Sequence, residues 1–276
     1  MDNLYVIKIG GNIIDDESKL SSFLKSFAQL KEKKILVHGG GKLATKLGET
    51  LGIEQKLVDG RRITDAETLK VVTMVYAGLI NKNIVSQLQS NNCNAIGLTG
   101  ADGNSIIAHK RISANSPLGA GGIDYGFAGD IDKVNTDFFQ TLLNQVSTIV
   151  VAPITHDKKG QLLNTNADTI AQEIAKALSS NYDVQLIYSF EKSGVLLDVN
   201  DESSVITKMN WEYYQQLKKP ADSPSGDGGK IFAGMIPKLD NAFTALRNGV
   251  KKVIIGKAEE LNELINGTKG TSLTNQ

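Results

Sequence analysis

The hydrophobic pattern of the chain predicts strands and helices in alternation. Residues 4–9 form an apolar run that predicts a buried strand, and residues 17–31 place leucine and phenylalanine on one helical face. The same order returns with an apolar run at 35–37 and a helical pattern at 42–51. Further apolar runs predict strands at 95–98, 148–154, 184–188 and 252–255. This alternation favours an α/β fold, a mostly parallel open sheet with helices on both faces in three α/β/α layers.

Three segments depart from this alternation. Residues 65–91 form one long helical pattern with two apolar faces, one of them an apolar stripe of Leu69, Val72, Tyr76, Leu79 and Leu88. The two faces fit either a helix buried on both sides within a subunit or a helix at a dimer interface. The glycine-rich stretch 105–134 predicts a hairpin that covers a site as a lid. Residues 219–229 are rich in proline, glycine, serine and aspartate, and they predict an irregular loop.

Composition and charge exclude several classes of function. The chain has 276 residues, and its 30 lysines and arginines balance 30 aspartates and glutamates, so no net charge attracts nucleic acid or an anionic membrane. No apolar run approaches the roughly 20 residues that span a bilayer, and the start lacks a signal-peptide layout, which predicts a cytoplasmic protein with small-molecule partners. Cys93 is the only cysteine, and His38, His109 and His156 are scattered. We therefore predict no intramolecular disulfide and no metal site, and we expect the histidines to be structural.

Glycines follow the first two predicted strands, at the strand ends where ligands bind in open α/β sheets. Lys8 comes just before Gly10 and Gly11, and the second strand runs into His-Gly-Gly-Gly at 38–41. Glycine turns expose backbone N–H groups to an anion, and the lysine adds a positive charge. The alternative is a structural turn beside a solvent-exposed lysine.

The second glycine turn also fits a different class of site. Gly39-x-Gly41-x-x-Ala44, with Asp59 about 20 residues further on, matches the fingerprint of a dinucleotide-binding domain. A Rossmann-type dehydrogenase therefore stays open as an alternative. The chain contains no G-x-x-x-x-G-K-[ST] segment, which excludes a Walker-type P-loop.

Three further segments carry polar residues next to predicted helix starts. Arg61 and Arg62 lie in a predicted turn before the long helix, where an arginine fork could bind a carboxylate or both side chains could be solvated. The segment 164–169, Asn-Thr-Asn-Ala-Asp-Thr, precedes a helix that its side chains could simply cap. Lys238 opens another helix, where the helix dipole disfavours a cation unless an anion faces it.

Five motifs in this order resemble the amino acid kinase family over essentially the whole chain. They are Lys-x-Gly-Gly at 8–11, His-Gly-Gly-Gly at 38–41, Gly-Arg-Arg-Ile-Thr at 60–64, Asn-Thr-Asn-Ala-Asp-Thr at 164–169 and Gly-Met-Ile-Pro-Lys at 234–238. The resemblance implies a phosphotransferase that uses ATP and Mg²⁺, with the metal held mainly by phosphates and water. It points to the branch that phosphorylates the side-chain carboxylate of N-acetyl-L-glutamate in arginine biosynthesis, with N-succinyl-L-glutamate as the alternative substrate.

The resemblance also implies roles for individual residues. Lys8, Lys238 and Asp168 match catalytic residues: the lysines would flank the transferring phosphoryl group and Asp168 would orient them. The positions that match substrate-binding residues are Gly40, Gly41, Arg62, Asn164 and Asn166, with the arginine on the α-carboxylate. The positions that match nucleotide-binding residues are Gly10, Gly11, Ser189, Gly194, Val195 and Leu196. Residues 1–180 would form the lobe for the acylglutamate and residues 181–276 the lobe for ATP.

Two departures from the family pattern bear on these expectations. Ser189 and Phe190 stand where the family usually has threonine and aspartate, so the carboxylate that makes one nucleotide contact in the family is missing here. A non-catalytic ligand sensor therefore stays open as an alternative. The chain begins directly at its first strand, without the N-terminal helix that builds arginine-inhibited hexamers in the family. The resemblance therefore predicts a homodimer that is insensitive to arginine.

Overall fold

The structure is a computed structural model that describes residues 1–58, 61–111, 123–218 and 235–275. Contacts within the chain divide it into two compact units. The first unit combines Met1–Ile35 with Ala171–Gln276, and the second comprises Leu36–Ile170. The two lobes expected from the sequence were defined by the ligand that each would bind, and that assignment stays a prediction.

Strands and helices alternate along the chain, as the hydrophobic pattern predicts. The strands are β1 (Asn3–Ile9), β2 (Lys33–His38), β3 (Leu57–Val58), β4 (Arg61–Arg62), β5 (Ala95–Leu98), β6 (Ile106–Lys110), β7 (Ala128–Val134), β8 (Thr148–Val151), β9 (Ile154–His156), β10 (Leu162–Thr165), β11 (Asp183–Phe190), β12 (Lys208–Met209), β13 (Lys252–Lys257) and β14 (Thr271–Leu273). The α-helices are α1 (Gly11–Ile14), α2 (Glu17–Gln29), α3 (Gly41–Thr50), α4 (Ala66–Thr73), α5 (Asn81–Ser90), α6 (Thr136–Val146), α7 (Ala167–Leu178), α8 (Trp211–Lys218), α9 (Ile236–Arg247) and α10 (Leu261–Asn266).

A mostly parallel sheet forms the centre of the first unit. Its strands lie in the order β12-β14-β13-β11-β1. β11 pairs in parallel with β1 and with β13, and β12 pairs in parallel with β14, whereas β13 and β14 are antiparallel. Residues 4–7 of β1 are all buried. Because successive side chains point to opposite faces, this burial means that both faces of β1 are covered.

The second unit contains a short sheet and a small barrel. β2, β8 and β5 lie side by side in that order, with β5 and β8 parallel. β10, β7, β6 and β9 close into a barrel, in which β6 and β7 form the antiparallel hairpin predicted within 105–134. The middle of that segment, 112–122, lies outside the described residues, and the lid function stays a prediction. The predicted irregular loop at 219–229 also lies outside them.

The long helix predicted at 65–91 is present but is not a regular α-helix. Asp65 caps α4 by accepting from the backbone N–H of Thr68 at 2.8 Å. Between α4 and α5, Met74–Ile80 forms a π-helical segment, whose wider turn shifts the phase of the side chains. Leu79, expected in the apolar stripe, is therefore 61% exposed, and the neighbouring Ile80 is buried instead.

Two local predictions are wrong. Residues 148–154 were expected as one strand, but they form β8 and β9, because Pro153 lacks the N–H that a continuous ladder requires. Residues 60–64 were expected as a turn, but Arg61 and Arg62 form β4, which pairs with β3. The short strands β12 and β14 are not predicted, since two or three residues carry no periodic signal.

Candidate functional site

β1 and β11 end side by side at the first pair of glycines. The Gly10 N–H donates to the Ser189 carbonyl at 2.9 Å, so this N–H belongs to the strand packing. A Cβ on Gly10 would lie 3.3 Å from Cβ of Phe190, whereas a Cβ on Gly11 would meet nothing within 4 Å. Gly11, the first residue of α1, therefore leaves open space in which a ligand could approach the backbone.

Lys8 and Lys238 both approach Tyr188, a buried residue of β11. Lys8 pairs in register with Tyr188, so the two side chains leave the sheet on the same face. Nζ of Lys238 lies 6.0 Å from the centroid of the Tyr188 ring, at the outer limit of a cation–π contact. Lys238 is in the first turn of α9, after Pro237. Two lysines far apart in the sequence thus have Tyr188 as a common neighbour, Lys8 through the strand register and Lys238 through the ring. Their catalytic role stays a prediction.

Ser189 is a buried residue at the end of β11. It is 1% exposed, and its hydroxyl has no hydrogen-bond partner among the described residues. Because it follows Tyr188 in the strand, its side chain leaves the opposite face of the sheet. Buried hydroxyls normally have a partner. The nucleotide contact expected of Ser189 stays a prediction.

The loop after β11 is packed tightly against the start of β14. The Val195 N–H donates to the Thr271 hydroxyl at 2.8 Å, and a Cβ on Gly194 would lie 2.7 Å from the same oxygen. Leu196 is also buried, at 9% exposure. The glycine is therefore required by this packing, and the Val195 N–H is already used within the protein.

Arg62 is buried in the second unit, where its guanidinium contacts neutral acceptors. It is 9% exposed. Nη2 donates to the Gly41 carbonyl and to Oγ1 of Thr45, both at 2.9 Å, and Nη1 donates to Oε1 of Gln55. Solvation, one of the two possibilities raised by the sequence, holds for the exposed Arg61 and is wrong for Arg62. A buried cation held by neutral acceptors favours an incoming anion.

A cavity of about 360 Å³ opens beside this arginine. Its lining includes the start of α3, with Lys42 and Lys46 adding positive charge and Glu49 opposing them. The buried Tyr76 also lies against Arg62: burial raises the pKa of the Tyr76 phenol, and the arginine partly offsets that increase. The cavity therefore combines a buried arginine with further cations at its edge.

Gly40 and Gly41 are glycines for different reasons. Gly40 has a φ of +144°, and a Cβ there would lie 2.1 Å from Cδ1 of Ile80. The turn therefore requires glycine at position 40. Gly41 begins α3, and a Cβ there would lie 3.7 Å from Nη2 of Arg62, an ordinary contact. Its backbone lies at a helix start beside the arginine, an arrangement suited to a carboxylate.

His38 is a buried structural residue, as expected. Its Nδ1 lies 2.8 Å from the Gly39 carbonyl, and Nδ2 of Asn81 lies 3.3 Å from its Nε2. These partners assign the ring proton to Nδ1, so that Nε2 accepts. Burial lowers the pKa of His38 to about 4; the bond to Gly39 opposes the decrease and nearby Lys82 adds to it. Asn81 also donates to the Val150 carbonyl at 3.1 Å, which ties the glycine turn to β8.

Asn164 in β10 is connected to the Arg62 strand through Thr64. Nδ2 of Asn164 donates to the Thr64 hydroxyl at 3.0 Å, and that hydroxyl donates to the Arg62 carbonyl at 3.1 Å. Thr64 is completely buried. Sequence reasoning gave Thr64 no role, although it ends the Gly-Arg-Arg-Ile-Thr motif. The structure thus brings Asn164 and Arg62 into one network.

Asn166 caps α7, the alternative that the sequence left open. Its Oδ1 accepts from the backbone N–H groups of Asp168 at 2.8 Å and Thr169 at 3.1 Å. The cap uses the side-chain oxygen, so a contact with substrate would have to use Nδ2. Asp168 lies in the first turn of α7, where the helix dipole stabilises a carboxylate.

Metal sites and membrane spans are absent from the described part of the chain. Within residues 1–58, 61–111, 123–218 and 235–275, no group of three or more histidine, cysteine, aspartate or glutamate side chains could hold a metal ion. No helix in these ranges is long and apolar enough to cross a membrane.

Comparison with known proteins decides the family. The sequence profile described as "Amino acid kinase family" matches residues 3–257. The chain belongs to the amino acid kinase family. Relatives within it include the acetylglutamate kinase of Cytophaga hutchinsonii, 58% identical over 275 residues and 99% of each chain. The acetylglutamate kinase of Parabacteroides distasonis is 51% identical over 95% of this chain and 97% of its own. That of Methanopyrus kandleri is 36% identical over 94% and 96%.

Solved structures agree with this amino acid kinase fold. The N-acetylglutamate synthase from Neisseria gonorrhoeae, complexed with coenzyme A and N-acetyl-glutamate, has a TM-score of 0.78 at 19% identity, covering 100% of this chain and 60% of its own. Giardia carbamate kinase has a TM-score of 0.64 at 14% identity, covering 99% and 98%. The mostly parallel open sheet with flanking helices is therefore confirmed. The dehydrogenase alternative gains no support from these proteins.

Proposed function

We propose that this amino acid kinase transfers the terminal phosphoryl group of ATP to the side-chain carboxylate of N-acetyl-L-glutamate. The product is N-acetylglutamyl 5-phosphate, an intermediate of arginine biosynthesis. One observation carries the proposal: acetylglutamate kinases from several bacteria are 50–58% identical to this chain over 94–99% of their own length. The motifs that suggested this branch from the sequence lie within the same aligned length.

This reaction places unusual demands on a site, because its nucleophile needs no general base. A glutamate side-chain carboxyl has an ordinary pKa of about 4.3 and is already anionic at neutral pH. The barrier arises instead from repulsion between anions and from charge that spreads over the transferring phosphoryl group. The site must therefore supply cations and N–H donors, and the neutral, structural His38 is compatible with that requirement.

In the first unit, we assign the phosphoryl-transfer role to Lys8 and Lys238. Their common position around Tyr188 supports this assignment, since both approach one face of the sheet. Two ammonium groups there would oppose the repulsion between ATP and the carboxylate and stabilise charge in the transition state. Asp168 would orient the lysines. Gly11 would let a phosphate approach the backbone.

In the second unit, we assign substrate binding to the network around Arg62. Its guanidinium would hold the α-carboxylate, and the backbone at Gly40 and Gly41 would receive the reacting carboxylate. Asn164 and Asn166 would contact the rest of the substrate, the second through the amide nitrogen that its cap does not use. The neutral surroundings of the buried arginine support this assignment, because an anionic ligand would compensate its charge.

Family membership implies ATP as phosphoryl donor, and we add Mg²⁺ to the proposal. The ion would neutralise phosphate charge, held mainly by ATP and water. We also assign a nucleotide contact to Ser189, at the end of β11. We also propose a cytoplasmic homodimer that is insensitive to arginine. The balanced charge of the chain agrees with small-molecule partners, and light scattering with and without arginine tests the assembly.

The test is a coupled ADP-release assay with ATP, Mg²⁺ and N-acetyl-L-glutamate, run beside N-succinyl-L-glutamate. We expect turnover on the acetyl substrate, and loss of about a hundredfold to a thousandfold in Lys8→Ala and Lys238→Ala, the usual effect of removing one preorganised donor. Both variants should still bind ATP in a calorimetric titration. Lys25→Ala, a matched change at an exposed position of α2, should keep wild-type turnover. Wild-type protein without turnover refutes the proposed function; more than half of the wild-type rate in either variant refutes the lysine assignment.

A further inference from the structure

Gln55 lies at the end of the Arg62 side chain, outside every motif of the sequence. Its Oε1 accepts from Nη1 of Arg62, and its Nε2 donates to the Ile53 carbonyl at 3.2 Å. The bond to Ile53 fixes the orientation of the Gln55 amide, because the Ile53 carbonyl oxygen can accept only from the NH2 group and not from Oε1. The oxygen of Gln55 is therefore directed at the guanidinium.

Gly48 in α3 makes room for this amide. A Cβ at position 48 would lie 2.5 Å from Nε2 and 2.8 Å from Cδ of Gln55, so a side chain there would displace the amide from its present position. Glycine inside a helix is less favourable than alanine, so its presence needs a local reason. The close approach of Gln55 supplies that reason. The present contact between Gln55 and Arg62 thus depends on the glutamine itself and on the space that Gly48 leaves beside it.

The hydrogen bonds that orient the Arg62 guanidinium do not neutralise its positive charge. Its acceptors are a carbonyl oxygen of Gly41, a hydroxyl of Thr45 and the amide oxygen of Gln55, all of them neutral. A glutamate at position 55 would be the stronger partner, since a carboxylate adds the attraction of opposite charges to the hydrogen bond from the guanidinium. It would also cancel the charge that an external anion needs.

We propose that Gln55 is a positioning residue for substrate binding: it holds Arg62 in place through a neutral acceptor and so keeps the arginine available to a carboxylate of the substrate. The inference rests on the proposed function, in which Arg62 binds the α-carboxylate. It adds that the neutrality of position 55, and not only its hydrogen bond, determines affinity.

Steady-state kinetics and thermal melting of two variants test the inference. In Gln55→Glu, the introduced carboxylate pairs with Arg62 and competes with the substrate. We expect KM for N-acetyl-L-glutamate to rise about tenfold or more, because the free energy of one hydrogen bond to a charged group corresponds to a change of this size. The kcat and the KM for ATP should stay within about twofold of wild type. The melting temperature should be unchanged or higher. Gln55→Met removes the acceptor without adding charge, so its KM should rise less and its melting temperature should fall.

A matched control variant and the wild-type enzyme distinguish a failure of the Gln55 inference from a failure of the proposed function. Gln145→Glu adds the same charge on the exposed side of α6, and it should leave KM unchanged. The inference is overturned if Gln55→Glu keeps the wild-type KM, or if its kcat, KM and melting temperature all deteriorate together as in a general folding defect. A wild-type enzyme that shows no turnover with N-acetyl-L-glutamate overturns the proposed function itself. Normal wild-type turnover with an insensitive Gln55→Glu variant overturns the positioning role alone.

Discussion

The pH dependence of stability offers a direct test of the His38 network. Burial lowers the pKa of His38 to about 4, from an ordinary value of 6.5. Between these values the ring is protonated in the unfolded chain and neutral in the folded one. The unfolded state therefore binds more protons, and lowering the pH favours unfolding. The stabilisation that depends on a neutral ring is complete above pH 6.5 and is lost as the pH falls towards 4.

The size of the effect follows from the same pKa values. A decrease from 6.5 to about 4 corresponds to about 3 kcal/mol of unfolding free energy. Most of that should already be lost at pH 4.5. A typical domain has about 5 to 15 kcal/mol of stability, so this single ring should dominate the mildly acidic range.

Urea unfolding followed by far-UV circular dichroism at pH 7.5, 6.5, 5.5 and 4.5 measures the effect. Across this range, we expect the wild type to lose about 2 to 3 kcal/mol more unfolding free energy than His38→Gln, whose amide does not titrate. The variant should be less stable than wild type at pH 7.5. His109→Gln, the same change at an exposed position of β6, should keep most of the wild-type dependence. Equal losses in wild type and His38→Gln would refute the reasoning.

Two further pairs of variants separate structural from binding roles near the proposed substrate site. Gly40→Ala should lose about 2 kcal/mol or more of unfolding free energy, because of its positive φ and the contact with Ile80, whereas Gly41→Ala should lose far less. Equal stabilities in urea would contradict this. Asn166→Ala should lose about 1 kcal/mol with its cap. Asn166→Asp keeps the cap but places a negative charge near the substrate, so KM for N-acetyl-L-glutamate should rise about tenfold at unchanged stability; a wild-type KM would leave Asn166 as a cap alone.

The fold could be predicted where the hydrophobic pattern is long and local. β1, β11 and β13 are parallel strands, and strands of this kind read as nearly continuous apolar runs. The hydrophobic pattern did not predict the structure where an element depends on its partner strand or on a departure from regular helix geometry. β4 exists because Arg61 and Arg62 pair with Val58 and Leu57, a contact that no periodicity reveals. The π-helical segment shifted Leu79 out of the apolar stripe for a comparable reason.

The candidate site could be predicted only in part. Glycines and Lys8 at strand ends are visible because the sheet topology determines where such ends lie. The burial of Arg62 depends on packing against α3, and its partner Gln55 belongs to no motif. One local signal was present in the sequence: Gly48 lies inside a predicted helix, where glycine is unfavourable and often marks a close approach. Such a glycine indicates that some neighbour approaches, but only the structure identifies Gln55.

His38 and Arg62 show how one physical cause, burial, leads to opposite roles. Both side chains are buried in the second unit among neutral hydrogen-bonding partners. Histidine escapes the cost of a buried charge by releasing its proton, and His38 does so, as its lowered pKa indicates. Arginine has no such escape, because its guanidinium stays protonated at any pH that the fold survives. Neutral hydrogen-bond acceptors offset part of the cost of burying Arg62, and an anion from outside would offset more of it. The burial that makes His38 a neutral structural residue thus supports the binding role that we propose for Arg62.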